Sequence, residues 1–153
     1  MPDLEVRAPV AGTVVAVADI PDPVFAAALV GPGSALAPDP VAGRTAVAPI
    51  AGVVVKLHPH AFVVAADDGR AVLVHLGIDT VELHGDGFTL HVAEGDRVEA
   101  GQPVVDWDPA AVEAGGRSPV VPVVVLDAEP SELRALAPAG TTLTPSDPLF
   151  SVT

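Results

Sequence analysis

An eight-residue pattern occurs twice in this chain. Ala8-Pro9-Val10-Ala11-Gly12-Thr13-Val14-Val15 returns forty residues later as Ala48-Pro49-Ile50-Ala51-Gly52-Val53-Val54-Val55. Each copy reads as a turn, set by its Pro and Gly, that feeds a strand of buried valines. Two such copies predict a duplicated β motif, closed into a sandwich or barrel with internal pseudo-symmetry. The composition agrees. With four Phe, one Trp and no Tyr, the core has to be built from Val, Ala and Leu, and 14 Gly and 17 Pro favour short strands joined by tight turns. The length of 153 residues fits one domain over 1–153, all-β with short helical turns.

Several classes of function are excluded early. Without cysteine there is no disulfide, no thiolate metal site and no Cys nucleophile. Twenty acidic against seven basic residues give a net charge of −13, which argues against nucleic acid as a partner and favours a basic protein. Met1–Arg7 is charged and leads into no apolar signal core. No apolar run approaches the roughly 18 residues of a membrane span. These features predict a cytoplasmic protein with no direct membrane insertion.

Strands are expected near Arg44–Ala48, Gly52–Leu57, Ala61–Ala66, Ala71–Leu76, Val81–Leu83, Phe88–His91, Val120–Leu126 and Leu149–Val152. Asp67-Asp68-Gly69 reads as a hairpin turn. Asp22–Gly31 and Pro109–Ala114 read as short helices, and Ser131–Leu136 as a helical turn with Ser131 as N-cap.

Of the five histidines, His75 stands out. It closes an apolar strand, and Gly77 follows two residues later, where a glycine lets another backbone approach closely. A hairpin turning on Asp67-Asp68-Gly69 sets His60 opposite His75, at the ~5 Å Cβ spacing of cross-strand neighbours. Two imidazoles that close are able to share one ligand or one phosphoryl group. The pairing alone does not choose between phosphoryl transfer and metal binding.

The stretch Val74-His75-Leu76-Gly77-Ile78-Asp79-Thr80-Val81-Glu82-Leu83-His84-Gly85-Asp86-Gly87-Phe88 resembles the signature around the phosphorylated histidine of glucose-type enzyme IIA proteins of the sugar phosphotransferase system. Other segments agree in order: Ala8–Gly12, Asp22-Pro23-Val24-Phe25, Gly31-Pro32-Gly33, Ala48–Gly52, His60-Ala61-Phe62, Gly95-Asp96-x-Val98 and Ser118-Pro119-Val120-Val121. The resemblance covers nearly the whole chain. It implies a β-sandwich of the duplicated hybrid type. It also implies that His75 accepts phosphate through Nε2 from the phosphocarrier HPr and passes it to a sugar-specific IIB domain of a permease in trans. His60 corresponds to the second active-site histidine. Asp22, Phe25, Leu76, Ile78 and Asp79 are then candidates for the partner-binding rim and its apolar depression. Regulated transporters or kinases are further candidate partners.

Two departures from the family pattern stand out. His58 occupies a position that is often Thr, and Leu73 and Leu76 stand where aromatics are common. No cofactor is required by this reading. Weak zinc binding at His60 and His75 in a partner complex is compatible with it, because two imidazoles leave a tetrahedral ion short of ligands. A zinc hydrolase using His60, His75 and Asp79 is the competing reading. A biotinyl or lipoyl carrier is disfavoured, because Lys56, the only lysine, lies inside a valine strand.

Overall fold

The computed structural model describes residues 2–153. In chain order the strands are β1 Leu4–Arg7, β2 Gly12–Val15, β3 Gly33–Pro38, β4 Thr45–Val47, β5 Gly52–His58, β6 Ala61–Ala65, β7 Ala71–His75, β8 Thr89–Leu90, β9 Arg97–Val98, β10 Pro103–Asp106, β11 Val121–Val125, β12 Leu133–Ala135, β13 Thr142–Leu143 and β14 Pro148–Val152. Two short helices interrupt them, α1 Pro23–Ala26 and α2 Pro109–Ala114. An eight-stranded sheet runs β13-β2-β3-β11-β7-β6-β5-β9, and two three-stranded sheets, β1-β14-β12 and β4-β10-β8, complete an antiparallel β-sandwich.

The repeated segments sit at matching places in this architecture. Each opens a strand, β2 or β5, with a glycine pressed against a neighbouring carbonyl. A Cβ on Gly12 would lie 2.3 Å from Ala37 O, and one on Gly52 2.1 Å from Ala65 O, so no larger residue fits at either position. The copies also bond to each other reciprocally. Arg7 N–H donates to Pro49 O at 2.9 Å, and Val47 N–H donates to Pro9 O at 2.7 Å. The symmetry extends outward. Ala8 bonds Asp147 O and Ser146 N, as Ala48 bonds Gln102 O and Gly101 N. Val14 bonds Thr141 O and Gly140 N, as Val54 bonds Asp96 O and Gly95 N. One unit is therefore the contiguous run β4–β10. The other is split around it into β1–β3 and β11–β14.

Strand parity sorts the side chains. On β7 and its continuation, Val72, Val74 and Leu76 point into the main core with Phe62, Val64, Ile50 and Phe150. Leu73 and His75 point to the opposite face of the large sheet. There a smaller apolar cluster of Ile20, Phe25, Ala35 and Ile78 packs under α1. Burial of these side chains, at about 25 cal/mol per Å² of apolar surface, is the main force holding the layers together.

Two expected elements differ, and one strand was not expected. Val81–Leu83 is not a strand but part of a 3-10 turn over Thr80–Leu83, because positive φ at Gly77 and Asp79 has already bent the chain off the ladder. Ser131 is not an N-cap. Glu129 and Glu132 form a capping box around the short turn Pro130–Glu132, and Leu133–Ala135 is strand β12. Finally, β3 was not foreseen. Its Gly33-Ser34-Ala35-Leu36-Ala37-Pro38 carries one large apolar residue, too faint a pattern for a strand in the middle of a sheet.

Candidate functional site

His75 is the last residue of β7, and its side chain stands at the edge of the small apolar cluster rather than in the core. Its partner across the ladder is Ala61, not His60. The loop closing the β6–β7 hairpin spans Ala66–Arg70, with Ala66 N–H on Arg70 O, which moves the register by one residue from the expected alignment. His60 lies just outside the ladder, in the turn between β5 and β6, and its carbonyl accepts from Leu76 N–H at 2.7 Å. The imidazoles nevertheless meet, with centroids 5.2 Å apart and planes at 71°. The sequence-derived proximity holds, although the register used to infer it does not.

The backbone after His75 fixes the ring's tautomer. His75 Nδ1 lies 2.5 Å from Gly77 O. A carbonyl only accepts, so Nδ1 carries the proton and Nε2 keeps its lone pair. The turn presenting that carbonyl is held from three sides. Gly77 has φ +82°, and a Cβ there would lie 2.6 Å from Thr80 Cγ2 and 3.1 Å from Ser118 O. Ile78 N–H donates to Ser118 O at 2.9 Å. The buried Thr80 hydroxyl donates to Leu76 O at 2.7 Å. Sequence reading flagged Gly77 as a point of close backbone approach. It missed the carbonyl as acceptor and Thr80 as a brace, since backbone groups leave no compositional trace.

Phe25 meets the His75 ring edge-on at 5.4 Å, and the His58 ring stacks on His60 at 5.7 Å. Burial pulls the His75 pKa below its ordinary value of 6.5. The Gly77 carbonyl and the carboxylates of Asp22 and Asp79 oppose that shift without cancelling it. His60 is lowered in the same way, by burial first and then by His75 and His58. At neutral pH both rings are neutral, and a neutral imidazole is the nucleophilic form.

The remaining candidates divide. Asp22 and Asp79 both act electrostatically on His75, and Asp79 is exposed in a left-handed turn at φ +60°. Phe25 and Ile78 belong to the small cluster beside the site. Leu76 does not line a surface depression, because strand parity turns it into the main core at 0% exposure. Ile78 is buried as well. The exposed apolar side chains on the segments carrying Phe25 and Asp79 are Val24, Leu29 and Val81, which sequence reading did not single out. His84 is exposed, and His91 pairs with Asp106 at 2.9 Å on the β4-β10-β8 sheet. Among the described residues no three His, Cys, Asp or Glu side chains stand close enough to hold one metal ion.

A duplicated antiparallel sandwich that presents two neutral imidazoles with centroids 5.2 Å apart, one with a backbone-fixed tautomer, is suited to a carrier that works through histidine. Residues 4–130 match the family described as phosphoenolpyruvate-dependent sugar phosphotransferase system, EIIA 1, and the chain belongs to that family. It is 43% identical over 122 residues to the glucose-specific EIIA component of Halalkalibacterium halodurans, covering 78% of this chain and 69% of that one. It is 37% identical over 127 residues to the glucose-specific EIIBCA component of Corynebacterium glutamicum, covering 82% of this chain but only 18% of that longer one. The solved structure of glucose permease IIA from Mycoplasma capricolum superposes with a TM-score of 0.89 at 28% identity, over 99% of this chain and 96% of that one. The chain is thus a phosphocarrier component of the sugar phosphotransferase system. Nothing in these relatives supports a zinc hydrolase. Among the described residues no helix is long and apolar enough to cross a membrane.

Proposed function

We propose that His75 receives a phosphoryl group on Nε2 from the phosphohistidine of HPr and delivers it to a sugar-specific IIB domain. The observation that carries this reading is the bond from His75 Nδ1 to Gly77 O, which leaves Nε2 as the nitrogen with an available lone pair. In acceptance, that lone pair attacks phosphorus in line. The bond from phosphorus to the donor's imidazole nitrogen breaks, and its electron pair stays on the donor ring. Positive charge builds on the His75 ring, where the Gly77 carbonyl and the carboxylates of Asp22 and Asp79 stabilise it. In donation a nucleophile of IIB attacks phosphorus in line, the bond from phosphorus to His75 Nε2 breaks, and its electron pair returns to the His75 ring.

His60 supports the transfer by a hydrogen bond to a phosphoryl oxygen, consistent with its ring lying 5.2 Å from that of His75. The docking face we assign is Val24, Leu29 and Val81 around Phe25, rimmed by Asp22 and Asp79, with an arginine of HPr as the complementary charge. Closing that face excludes water and protects the phosphohistidine. The relatives named EIIBCA and EIICBA, in which an A unit is joined to B and C units, support IIB as the downstream partner. Glucose is the sugar named for the stand-alone EIIA relatives of Halalkalibacterium halodurans, Oceanobacillus iheyensis, Haemophilus influenzae and Staphylococcus aureus, and is our first candidate. A cytoplasmic location follows from the same role. Zinc at His60 and His75 would need a further ligand from a partner.

The test is a relay assay. Phospho-HPr is supplied with catalytic amounts of this protein and a panel of IIB domains. Phosphorylation of one IIB that depends on this protein is the expected result. Failure to take label from phospho-HPr would overturn the donor assignment.

A further inference from the structure

We propose that Asp22 is a positioning residue of this site, acting through helix α1 to hold Phe25 edge-on against His75, and not only a rim charge for a docking partner. The inference rests on the reading of His75 as the phosphoryl acceptor.

Helix α1 is a single turn, too short to persist by its own hydrogen bonds, because nucleating a helix is unfavourable. It is held by its ends. Asp22 is the N-cap: its Oδ1 accepts from Val24 N–H at 2.9 Å and from Phe25 N–H at 3.3 Å, and Pro23 follows at the first helical position. At the other end Leu29 N–H returns to Val24 O at 3.0 Å and Ala28 N–H to Phe25 O at 2.9 Å, the double closure of a Schellman motif. The turn so fastened drives Phe25 inward, to 9% exposure, and leaves Val24 and Leu29 outside. The Phe25 ring then abuts the imidazole at 5.4 Å, with His60 at 5.2 Å from the same ring. One carboxylate therefore has two separable tasks. Oδ1 is committed to backbone amides that place Phe25, while the charge as a whole acts on His75. Losing an N-cap lowers the equilibrium constant for forming such a turn by about fivefold.

Substitutions at Asp22 separate the two tasks. Asp22→Asn and Asp22→Ser keep a capping oxygen and remove the charge, while Asp22→Ala removes both. The first readout is the ring-current shift that Phe25 imposes on the His75 ring protons, read by NMR in the unphosphorylated protein. It should be retained in Asp22→Asn and Asp22→Ser and reduced in Asp22→Ala, with Phe25→Leu as the zero reference. The second readout is the rate of acceptance from phospho-HPr at high salt, where rim charge is screened. There Asp22→Asn and Asp22→Ser should lose only what the carboxylate contributes to the charge on His75, and Asp22→Ala, which loses the cap as well, should be slower than either by about fivefold. An unaltered ring-current shift in Asp22→Ala overturns the proposal, as does an Asp22→Asn protein as impaired as Asp22→Ala on both readouts. If wild type itself takes no label on His75, the parent reading fails, and the ring-current comparison still decides the role of Asp22.

Discussion

The Nδ1–H of His75 donates to the carbonyl oxygen of Gly77 over 2.5 Å, within a turn that Gly77, Thr80 and Ser118 hold in place. One backbone carbonyl thus selects which imidazole nitrogen is free. Nitrogen-15 NMR of the unmodified protein should show His75 protonated at Nδ1 and unprotonated at Nε2. Thr80→Val, which keeps the shape and removes the brace, should mix the tautomers and slow acceptance. A pure Nε2-protonated ring would contradict the geometry.

Both active-site imidazoles should titrate below 6.5, because burial is the first cause of each shift. The sign for stability follows from linkage. Below the unfolded value the unfolded chain binds protons that the folded rings resist, so stability falls as acid is added and is fully present above about pH 6.5. Urea denaturation between about pH 5 and pH 7 should show this slope, and His60→Gln with His75→Gln should reduce it. A slope unchanged in the double variant would place its origin elsewhere.

His60→Gln should still take phosphate, since the nucleophile is intact, but should donate it slowly to IIB. Losing one hydrogen bond to a charged oxygen corresponds to about 1.5–3 kcal/mol, or a slowing of order tenfold to a hundredfold. Stopped reactions from the preloaded protein give this rate directly. A donation rate equal to wild type would remove His60 from the transfer step.

Ala28 sits at φ +57°, in the αL position of the Schellman closure where glycine is preferred. Ala28→Gly should relieve about 1 kcal/mol of strain, raising Tm by roughly 2–4 °C for a chain of this size. Thermal melts of the two proteins measure it. A lower Tm in Ala28→Gly would mean that the backbone entropy of glycine outweighs the strain relieved.

The repeat was legible in the sequence because its glycines cannot change. At Gly12 and Gly52 a Cβ would collide with a carbonyl, so Ala-Pro-x-Ala-Gly marks both units. The rest of the duplication was not legible. One unit is split around the other, and hydrogen-bonding equivalences such as Val14 with Val54 are carried by backbone, not by side-chain identity. The closeness of His60 and His75 could be read from the turn between them, but the register could not. Whether Ala66 and Arg70 close the loop inside or outside the ladder is a backbone choice. Leu76 lies next to His75 in sequence but on the other face of the sheet. Alternation from Val72 and Val74 already sends it inward.

The central claim is that His75 is the residue that carries the phosphoryl group. The most direct measurement is transfer of label from phospho-HPr to wild type and to His75→Ala, with the labelled residue mapped in wild type by mass spectrometry under basic conditions. Wild type should carry one acid-labile, base-stable label at His75. His75→Ala, shown to be folded by its circular dichroism, should carry none. Full labelling of His75→Ala, or a wild-type label mapped to His60, His58 or any other residue, would contradict the account.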